Sequence, residues 1–171
     1  MDVRNRQFAI FGMGESGVAT AEFLARRGAR VRAVDRKPLN ELKPEHARRL
    51  EQSRIALCAQ DEAALEGVEV ILLSPGVPPQ LPLIAAARRR GIAVTGELEF
   101  CSRFLRGPVL GITGSNGKTT TTALCGHLLQ ESGIAVQVGA NIGTPLATTS
   151  FAGYAEAGTE ITLTPHISEA D

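Results

Sequence analysis

The segment Gly12–Gly17, which reads GMGESG, constrains the fold more than any other part of the sequence. It follows the short apolar run Phe8–Phe11 and overlaps the start of Ser16–Arg27, whose apolar residues recur at helical spacing. A GxGxxG turn between a strand and a helix is typical of a βαβ unit, because its glycines permit a tight turn and let the backbone approach an anion. The sequence therefore predicts a parallel sheet whose first loop can bind phosphate.

Strand and helix patterns continue to alternate after this first unit. Asp35 ends the second predicted strand, in the position where such folds grip a ribose or a base. Alternation of this kind predicts a Rossmann-like α/β domain, a parallel sheet with helices on both faces. The remaining predicted strands and helices of this domain are Ala29–Val34, Glu45–Gln52, Ile55–Cys58, Val68–Leu73, Pro82–Arg90 and Ile92–Val94.

A second glycine-rich loop, Gly111–Thr120 (GITGSNGKTT), joins the apolar run Val109–Ile112 to a predicted helix, Lys118–Glu131. Glycines free the backbone to wrap phosphates, Lys118 adds a positive charge, and Thr119 can place its hydroxyl on Mg²⁺. The loop is a P-loop variant, since the strict GxxxxGK[ST] spacing would need glycine in place of Ile112. It predicts an ATP site at Gly114, Ser115, Asn116, Gly117, Lys118, Thr119, Thr120 and Thr121, with Lys118 as the catalytic residue and Thr119 as the metal ligand.

The two loops fall on different predicted domains. A helical stretch, Glu97–Leu105, ends at Arg106-Gly107-Pro108, and a new strand-loop-helix unit follows. We therefore predict a Rossmann-like domain over residues 1–96 and a partial P-loop domain over residues 97–171, with further strands at Ala135–Val138 and Ile161–Thr164. A dehydrogenase needs only the first loop and a simple kinase only the second, so the pair suggests a nucleotide-linked substrate together with ATP.

Composition excludes several classes of partner. Lys plus Arg and Asp plus Glu each number 18, so there is no net basic field to hold nucleic acid or an anionic membrane. No apolar run approaches the roughly 18 residues of a membrane helix, and the N-terminus lacks the apolar core of a signal peptide. Cys58, Cys101 and Cys125 are widely spaced and odd in number, which favours a reducing compartment. We expect a cytoplasmic, soluble monomer.

Four segments give the sequence a family resemblance. Thr113–Thr120 resembles the TGxNGK[ST][ST] loop of the Mur ligases, the bacterial cell-wall enzymes, and the Gly12–Gly17 loop, Leu73–Val77 (LSPGV) and Ala140–Pro145 (ANIGTP) support the likeness. The match extends from about Phe8 to Leu146 and is strongest with the branch that adds D-glutamate to UDP-N-acetylmuramoyl-L-alanine. The resemblance implies an ATP- and Mg²⁺-dependent ligase of peptidoglycan synthesis that phosphorylates a substrate carboxylate before an amine displaces phosphate.

The resemblance also implies which residues bind the UDP-linked substrate. Backbone at Glu15 and Ser16 would face the diphosphate, and Asp35 with Arg36 would lie near the uracil. Structural alternatives stay open: Asp35 can simply end a strand, Ser74-Pro75-Gly76 can be only a turn, and Asn141 can cap the turn that follows it. The implied substrate-binding residues are Gly14, Glu15, Ser16, Asp35, Arg36, Ser74, Pro75, Gly76 and Asn141.

The residues beyond the resemblance bear on activity. Family members continue with ligands for a second metal and with a third domain, but residues 147–171 do not match that continuation. We therefore expect the C-terminal domain to be absent and the chain alone to be inactive in amide formation. Alternatives are a Mur ligase of different amino-acid specificity, a non-catalytic nucleotide-binding module and, from the first loop alone, an NAD-dependent oxidoreductase. His46 and His127 are expected in surface or packing roles, and His166 in an exposed tail.

Overall fold

The computed structural model describes residues 1–105, 108–140 and 160–164. The chain divides into two compact units, Met1–Phe100 and Cys101–Asp171. Each unit contains a wholly parallel sheet, so the predicted α/β class with parallel strands is confirmed.

The sheet of the first unit has five strands in the order β3-β2-β1-β4-β5. Its inner strands β1 and β4 are buried along nearly their whole length, whereas the edge strands β3 and β5 are exposed at both ends. This contrast follows from helices that cover both faces at the centre of a parallel sheet, which favours continuous apolar runs there. The strands are β1 Gln7–Phe11, β2 Arg30–Asp35, β3 Ala56–Ala59, β4 Val70–Leu73 and β5 Ala93–Gly96.

Helices connect these strands, and two of them begin with a proline. Pro44 and Pro82 occupy the first turns of α2 and α3, where the missing N–H costs no intrahelical hydrogen bond. The strand order runs outward from β1 to β3 and then, in the opposite direction, from β4 to β5, so right-handed crossovers place the intervening helices on opposite faces. The helices are α1 Glu15–Arg26, α2 Pro44–Gln52, α3 Pro82–Arg89 and α4 Glu97–Ser102, with short 3-10 turns at Leu39–Glu41 and Glu62–Leu65.

Aromatic and aliphatic side chains fill the space between sheet and helices. Phe8 of β1 and Phe100 of α4 meet edge to face with ring centroids 5.4 Å apart. Another buried cluster joins Phe11 and Ile71 of the inner strands to Ile84 of α3. The α4 helix is thereby fixed against the central strand, which matters below because its first residue is Glu97.

The second unit has a three-stranded parallel sheet in the order β6-β8-β7. A Cβ added at Gly126 would lie 2.3 Å from Cγ2 of Val138, so α5 packs very closely on β7 and a side chain at this position would separate them. On α5, Leu124 and Leu128 are 54% and 55% exposed. The elements are β6 Val109–Gly111, α5 Lys118–Glu131, β7 Val136–Ala140 and β8 Glu160–Thr164.

No helix within the described ranges is both long enough and apolar enough to cross a membrane. Cys58, Cys101 and Cys125 are all free thiols.

Candidate functional site at the switch point of the sheet

The first candidate site lies where the strand order of the five-stranded sheet reverses, between β1 and β4. The chain leaves β1 toward β2 and leaves β4 toward β5, so the two loops separate at the carboxyl edge of the sheet. Ser74 connects them, because its N–H donates to the Phe11 carbonyl oxygen at 3.0 Å and its hydroxyl donates to that of Gly12 at 3.0 Å. Open α/β sheets bind ligands in the crevice at such a point.

The three glycines of the first loop have different structural roles. Gly12 has φ +90°, a conformation that L side chains rarely adopt, and it turns the chain away from β1. A Cβ at Gly17 would lie 1.9 Å from the Gly12 carbonyl oxygen, so Gly17 permits the close approach of α1 to the turn. Around Gly14 nothing lies within 4 Å of the Cβ position. Gly14 therefore leaves open space at the start of α1, where the predicted diphosphate would sit.

Gly14 is also the N-cap of α1. Its carbonyl oxygen accepts the Val18 N–H at 3.0 Å, but it has no side chain to cap the N–H groups of the first turn. Such N–H groups, together with the helix dipole, favour an anion. The local backbone chemistry thus fits the phosphate that the motif predicts.

Asp35 joins the end of β2 to the same loop. Its Oδ2 accepts the Met13 N–H at 2.6 Å and its Oδ1 accepts the Lys37 N–H at 2.9 Å. Both carboxylate oxygens therefore have backbone partners, and the residue braces the glycine loop. Contact of Asp35 and the exposed Arg36 with a uracil stays a prediction.

Glu15 places a carboxylate inside a loop that is predicted to bind an anion, which would be repelled by it. Two residues of α2 bind this carboxylate. Glu15 Oε1 accepts from the Arg49 guanidinium at 2.7 Å, and its Oε2 lies 3.0 Å from His46 Nε2. The Arg49 hydrogen bond holds the pKa of Glu15 below its usual value, with a smaller contribution from His46. The carboxylate is thus held on α2 by positively charged and polar partners, which reduces its repulsion of an anion at the loop.

His46 contacts the glycine loop, a role that the sequence did not indicate. Its side chain is only 4% exposed, and Nδ1 lies 3.1 Å from the Met13 carbonyl oxygen. The expected packing role fits this burial, but the link to the glycine loop spans 33 residues and has no local sequence signal. Glu45 Oε1 also approaches Nε2, at 3.8 Å, and ligand atoms of Glu15, Glu45 and His46 lie within 4.8 Å of one another. Arg49 bonds both carboxylate oxygens of Glu22 as well as Glu15, so a network of hydrogen-bonded ion pairs accounts for this spacing.

We expect His46→Ala to lower the free energy of unfolding by about 2–4 kcal/mol, since it leaves a cavity and removes the partner of the Met13 carbonyl. Chemical unfolding followed by circular dichroism measures the change. His127→Ala is the matched control, because His127 is exposed on α5, and it should shift the free energy by less than about 0.5 kcal/mol. Equal effects of the two substitutions would show that His46 does not brace the loop.

A buried carboxyl, Glu97, completes the first site and was not predicted. The residue is 2% exposed, and its Oε1 accepts the Ser16 hydroxyl at 3.0 Å. Burial raises the pKa of Glu97, and hydroxyls of Thr20, Ser16 and Ser74 oppose this rise less strongly. A sequence signal did exist, because Glu97 directly follows β5 and polar residues at the carboxyl ends of parallel strands face the ligand edge.

The second candidate site is the loop between β6 and α5. Gly117 has φ +76° and is the N-cap of α5, and Lys118 begins the helix. The Lys118 ammonium donates to the Gly114 carbonyl oxygen and, at 3.0 Å, to the Ser115 carbonyl oxygen. Thr119, Thr120 and Thr121 are exposed. Phosphate binding here would replace the bonds between Lys118 and the loop carbonyls.

In the first unit the structure brings Asp35 and Ser74 to the Gly12–Gly17 loop. Ser74 is buried under the first loop, while Pro75 and Gly76 are exposed beside it. Asn141 and His166 lie outside the described residues, so their predicted roles are not addressed. Thr119 as a metal ligand stays a prediction.

Comparison with known proteins agrees with this architecture. Residues 6–96 match the sequence model of the Mur ligase MurD-like N-terminal domain. The UDP-N-acetylmuramoylalanine–D-glutamate ligase of Solibacter usitatus is 50% identical over 146 residues, which are 85% of this chain and 32% of that protein. The ligase of the same name from Anaeromyxobacter dehalogenans is 41% identical over 95% of this chain and 35% of its own length. The chain thus spans about a third of the relatives it matches.

Solved structures show the same fold at low sequence identity. The UDP-N-acetylmuramate:L-alanyl-gamma-D-glutamyl-meso-diaminopimelate ligase from Neisseria meningitides superposes with a TM-score of 0.59 at 19% identity, over 92% of this chain and 52% of that chain. A murein peptide ligase from Psychrobacter arcticus gives a TM-score of 0.58 at 18% identity, over 92% of this chain and 37% of that chain. The fold and the loop at its switch point define a Rossmann-like α/β protein with an open glycine-lined loop. With the match over residues 6–96, the chain belongs to the MurD-like Mur ligases.

Proposed function

We propose that the chain supplies the UDP-substrate-binding domain and the first part of the ATP-binding domain of a ligase that adds D-glutamate to UDP-N-acetylmuramoyl-L-alanine. The observation that carries this proposal is the open, glycine-lined loop at the switch point, built from residues that match the family. Relatives that are 40–50% identical bear the name of this ligase, which supports D-glutamate over another amino acid.

The first unit would bind the UDP moiety. Gly14 leaves space for the diphosphate, and the first-turn N–H groups of α1 would donate to its oxygens. The bonds of Asp35 and His46 to Met13 hold the loop in position before the ligand arrives, which reduces the entropy lost on binding. Ser74, Pro75 and Gly76 would line the opposite side of the crevice.

The second unit would bind ATP and Mg²⁺. The loop fits phosphate, because Gly117 leaves the N-terminus of α5 without a side-chain cap and the Lys118 ammonium lies at the loop carbonyls of Gly114 and Ser115. Backbone N–H groups of Gly114–Gly117 and the Lys118 ammonium would hold the phosphates, and Thr119 would hold the metal. Bound ATP would supply the phosphoryl group that activates the substrate carboxylate, and Mg²⁺ would offset the charge of its phosphates. Lys118 would stabilise the negative charge that develops during this transfer.

The physiological setting follows from the same assignment. The proposed substrates are UDP-N-acetylmuramoyl-L-alanine and D-glutamate, and the proposed setting is peptidoglycan synthesis in the cytoplasm by a monomer. Residues 1–96 would form the UDP-substrate domain, and residues 97–171 would belong to the ATP-binding domain.

Isothermal titration of the purified chain with UDP-N-acetylmuramoyl-L-alanine and, separately, with NAD tests the proposal. We expect the UDP-linked substrate to bind and NAD not to bind, because the family match assigns the switch-point loop to the former. Binding of NAD alone would overturn the proposal in favour of an oxidoreductase. Binding of neither ligand by the folded chain would contradict a nucleotide-binding role for the first unit.

A further inference from the structure

Glu97 is a buried acid beside the loop that is proposed to hold a diphosphate. Its Oε1 accepts a hydrogen bond from Ser16, which belongs to the first turn of α1. Its Oε2 is buried and has no hydrogen-bond partner within the described part of the chain. An ionised carboxylate in such surroundings is unfavourable, because desolvation is only partly compensated by hydrogen bonds.

Among the residues that the structure describes, none acts on Glu97 with a positive charge that would offset this cost. The groups that act on its pKa are the hydroxyls of Thr20 and Ser16 on α1 and of Ser74 after β4. The ionisable residue next to Ser16 on α1 is Glu15, whose oxygens face His46 and Arg49 on α2. Burial raises the pKa of Glu97, and an anion at the adjacent loop would raise it further by repulsion.

Protonation of Glu97 would also change the direction of the Ser16 hydrogen bond. A carboxylate can only accept, so Ser16 must donate its hydroxyl hydrogen to the ionised form. The neutral acid has an O–H group that can donate to Ser16 Oγ instead. The hydroxyl hydrogen of Ser16 is then available to a phosphate oxygen at the start of α1.

We propose that Glu97 is a positioning residue that takes up one proton from solvent when a diphosphate binds at the Gly12–Gly17 loop, and thereby directs the Ser16 hydroxyl toward the ligand. The inference rests on the proposed function, because it concerns the ligand of that same loop. The only bond that forms is the O–H bond of the acid, and the proton comes from water or buffer.

Calorimetric titration of UDP-N-acetylmuramoyl-L-alanine in buffers of different ionisation enthalpy measures the proton taken up. The diphosphate diester and the alanine carboxylate of this ligand keep their charge from about pH 6 to about pH 8. Any proton taken up on binding must therefore be accepted by a group of the protein. We expect proton uptake by the wild type and a Kd that rises with pH, by up to about tenfold per pH unit once free Glu97 is ionised. In Glu97→Gln, whose amide mimics the neutral acid, the uptake should vanish and the Kd should stay constant with pH.

Two comparisons make the outcome decisive. His46→Gln removes the titratable ring that contacts the loop and should retain the uptake.

Binding without uptake in the wild type, or uptake that persists in Glu97→Gln, would overturn the inference while leaving the proposed function intact. Absence of binding by the folded wild type would instead overturn the proposed function, and the inference with it. The uptake measurement on the wild type tests the inference even if Glu97→Gln does not fold.

Discussion

Gly17→Ala should destabilise the first unit by about 3 kcal/mol or more, which is a large part of the stability of a small domain. The added methyl would lie 1.9 Å from the Gly12 carbonyl oxygen and 2.8 Å from Ser74 Oγ. A backbone carbonyl cannot rotate away as a flexible side chain would, so α1 must move off the sheet. Urea unfolding followed by circular dichroism measures the loss.

Gly14→Ala is the matched control in the same loop. Its methyl would meet no atom within 4 Å, and φ of −74° is allowed for alanine. The expected cost is at most about 1 kcal/mol, from the poorer N-cap preference of alanine. If Gly17→Ala unfolded at the same urea concentration as Gly14→Ala, the inference that α1 packs closely on the turn at Gly17 would be contradicted.

Lys118→Ala should lower the affinity for ATP by about 10–100-fold, because it removes a charge-assisted contact to the phosphates. The wild-type affinity should itself be weak, since Leu124 and Leu128 of α5 are exposed and a partly covered helix holds its N-terminal loop less rigidly. Titration with Mg·ATP measures both values.

The control for Lys118→Ala is the affinity for UDP-N-acetylmuramoyl-L-alanine, which should not change because the two loops belong to different units. A folded Lys118→Ala protein that lost the UDP-linked substrate would refute the assignment of the loops to two ligands. An ATP affinity that survived the substitution unchanged would also refute it.

Local sequence patterns were sufficient for the order of strands and helices but not for all their ends. The predicted helix Lys118–Glu131 coincides with α5, whose start is marked locally by the N-cap glycine, Gly117. By contrast, β5 was expected to end at Val94 and extends to Gly96, because Thr95 and Gly96 pair with Leu72 and Leu73 of β4. The local sequence pattern does not predict with which residues of a neighbouring strand a strand will pair.

The same distinction separates the predicted and the missed parts of the site. The glycine loop was predictable because its turn, helix start and anion-binding N–H groups all arise within a few consecutive residues. His46 and Glu97 act on that loop from 33 and 81 residues away, through contacts to Met13 and Ser16. Glu97 could have been suspected from its position directly after β5, but its contact with Ser16 and the contact of His46 with Met13 arise only in the folded chain.

Titration of UDP-N-acetylmuramoyl-L-alanine into the wild type and Gly14→Val tests most directly whether the switch-point loop holds the diphosphate. Valine fits the open space and the extended backbone at Gly14, so the variant should fold, but its side chain would occupy the volume that the diphosphate needs. We expect the Kd to rise by about 10–100-fold, the loss of one or two charge-assisted hydrogen bonds. An unchanged Kd in the folded variant would contradict diphosphate binding at this loop.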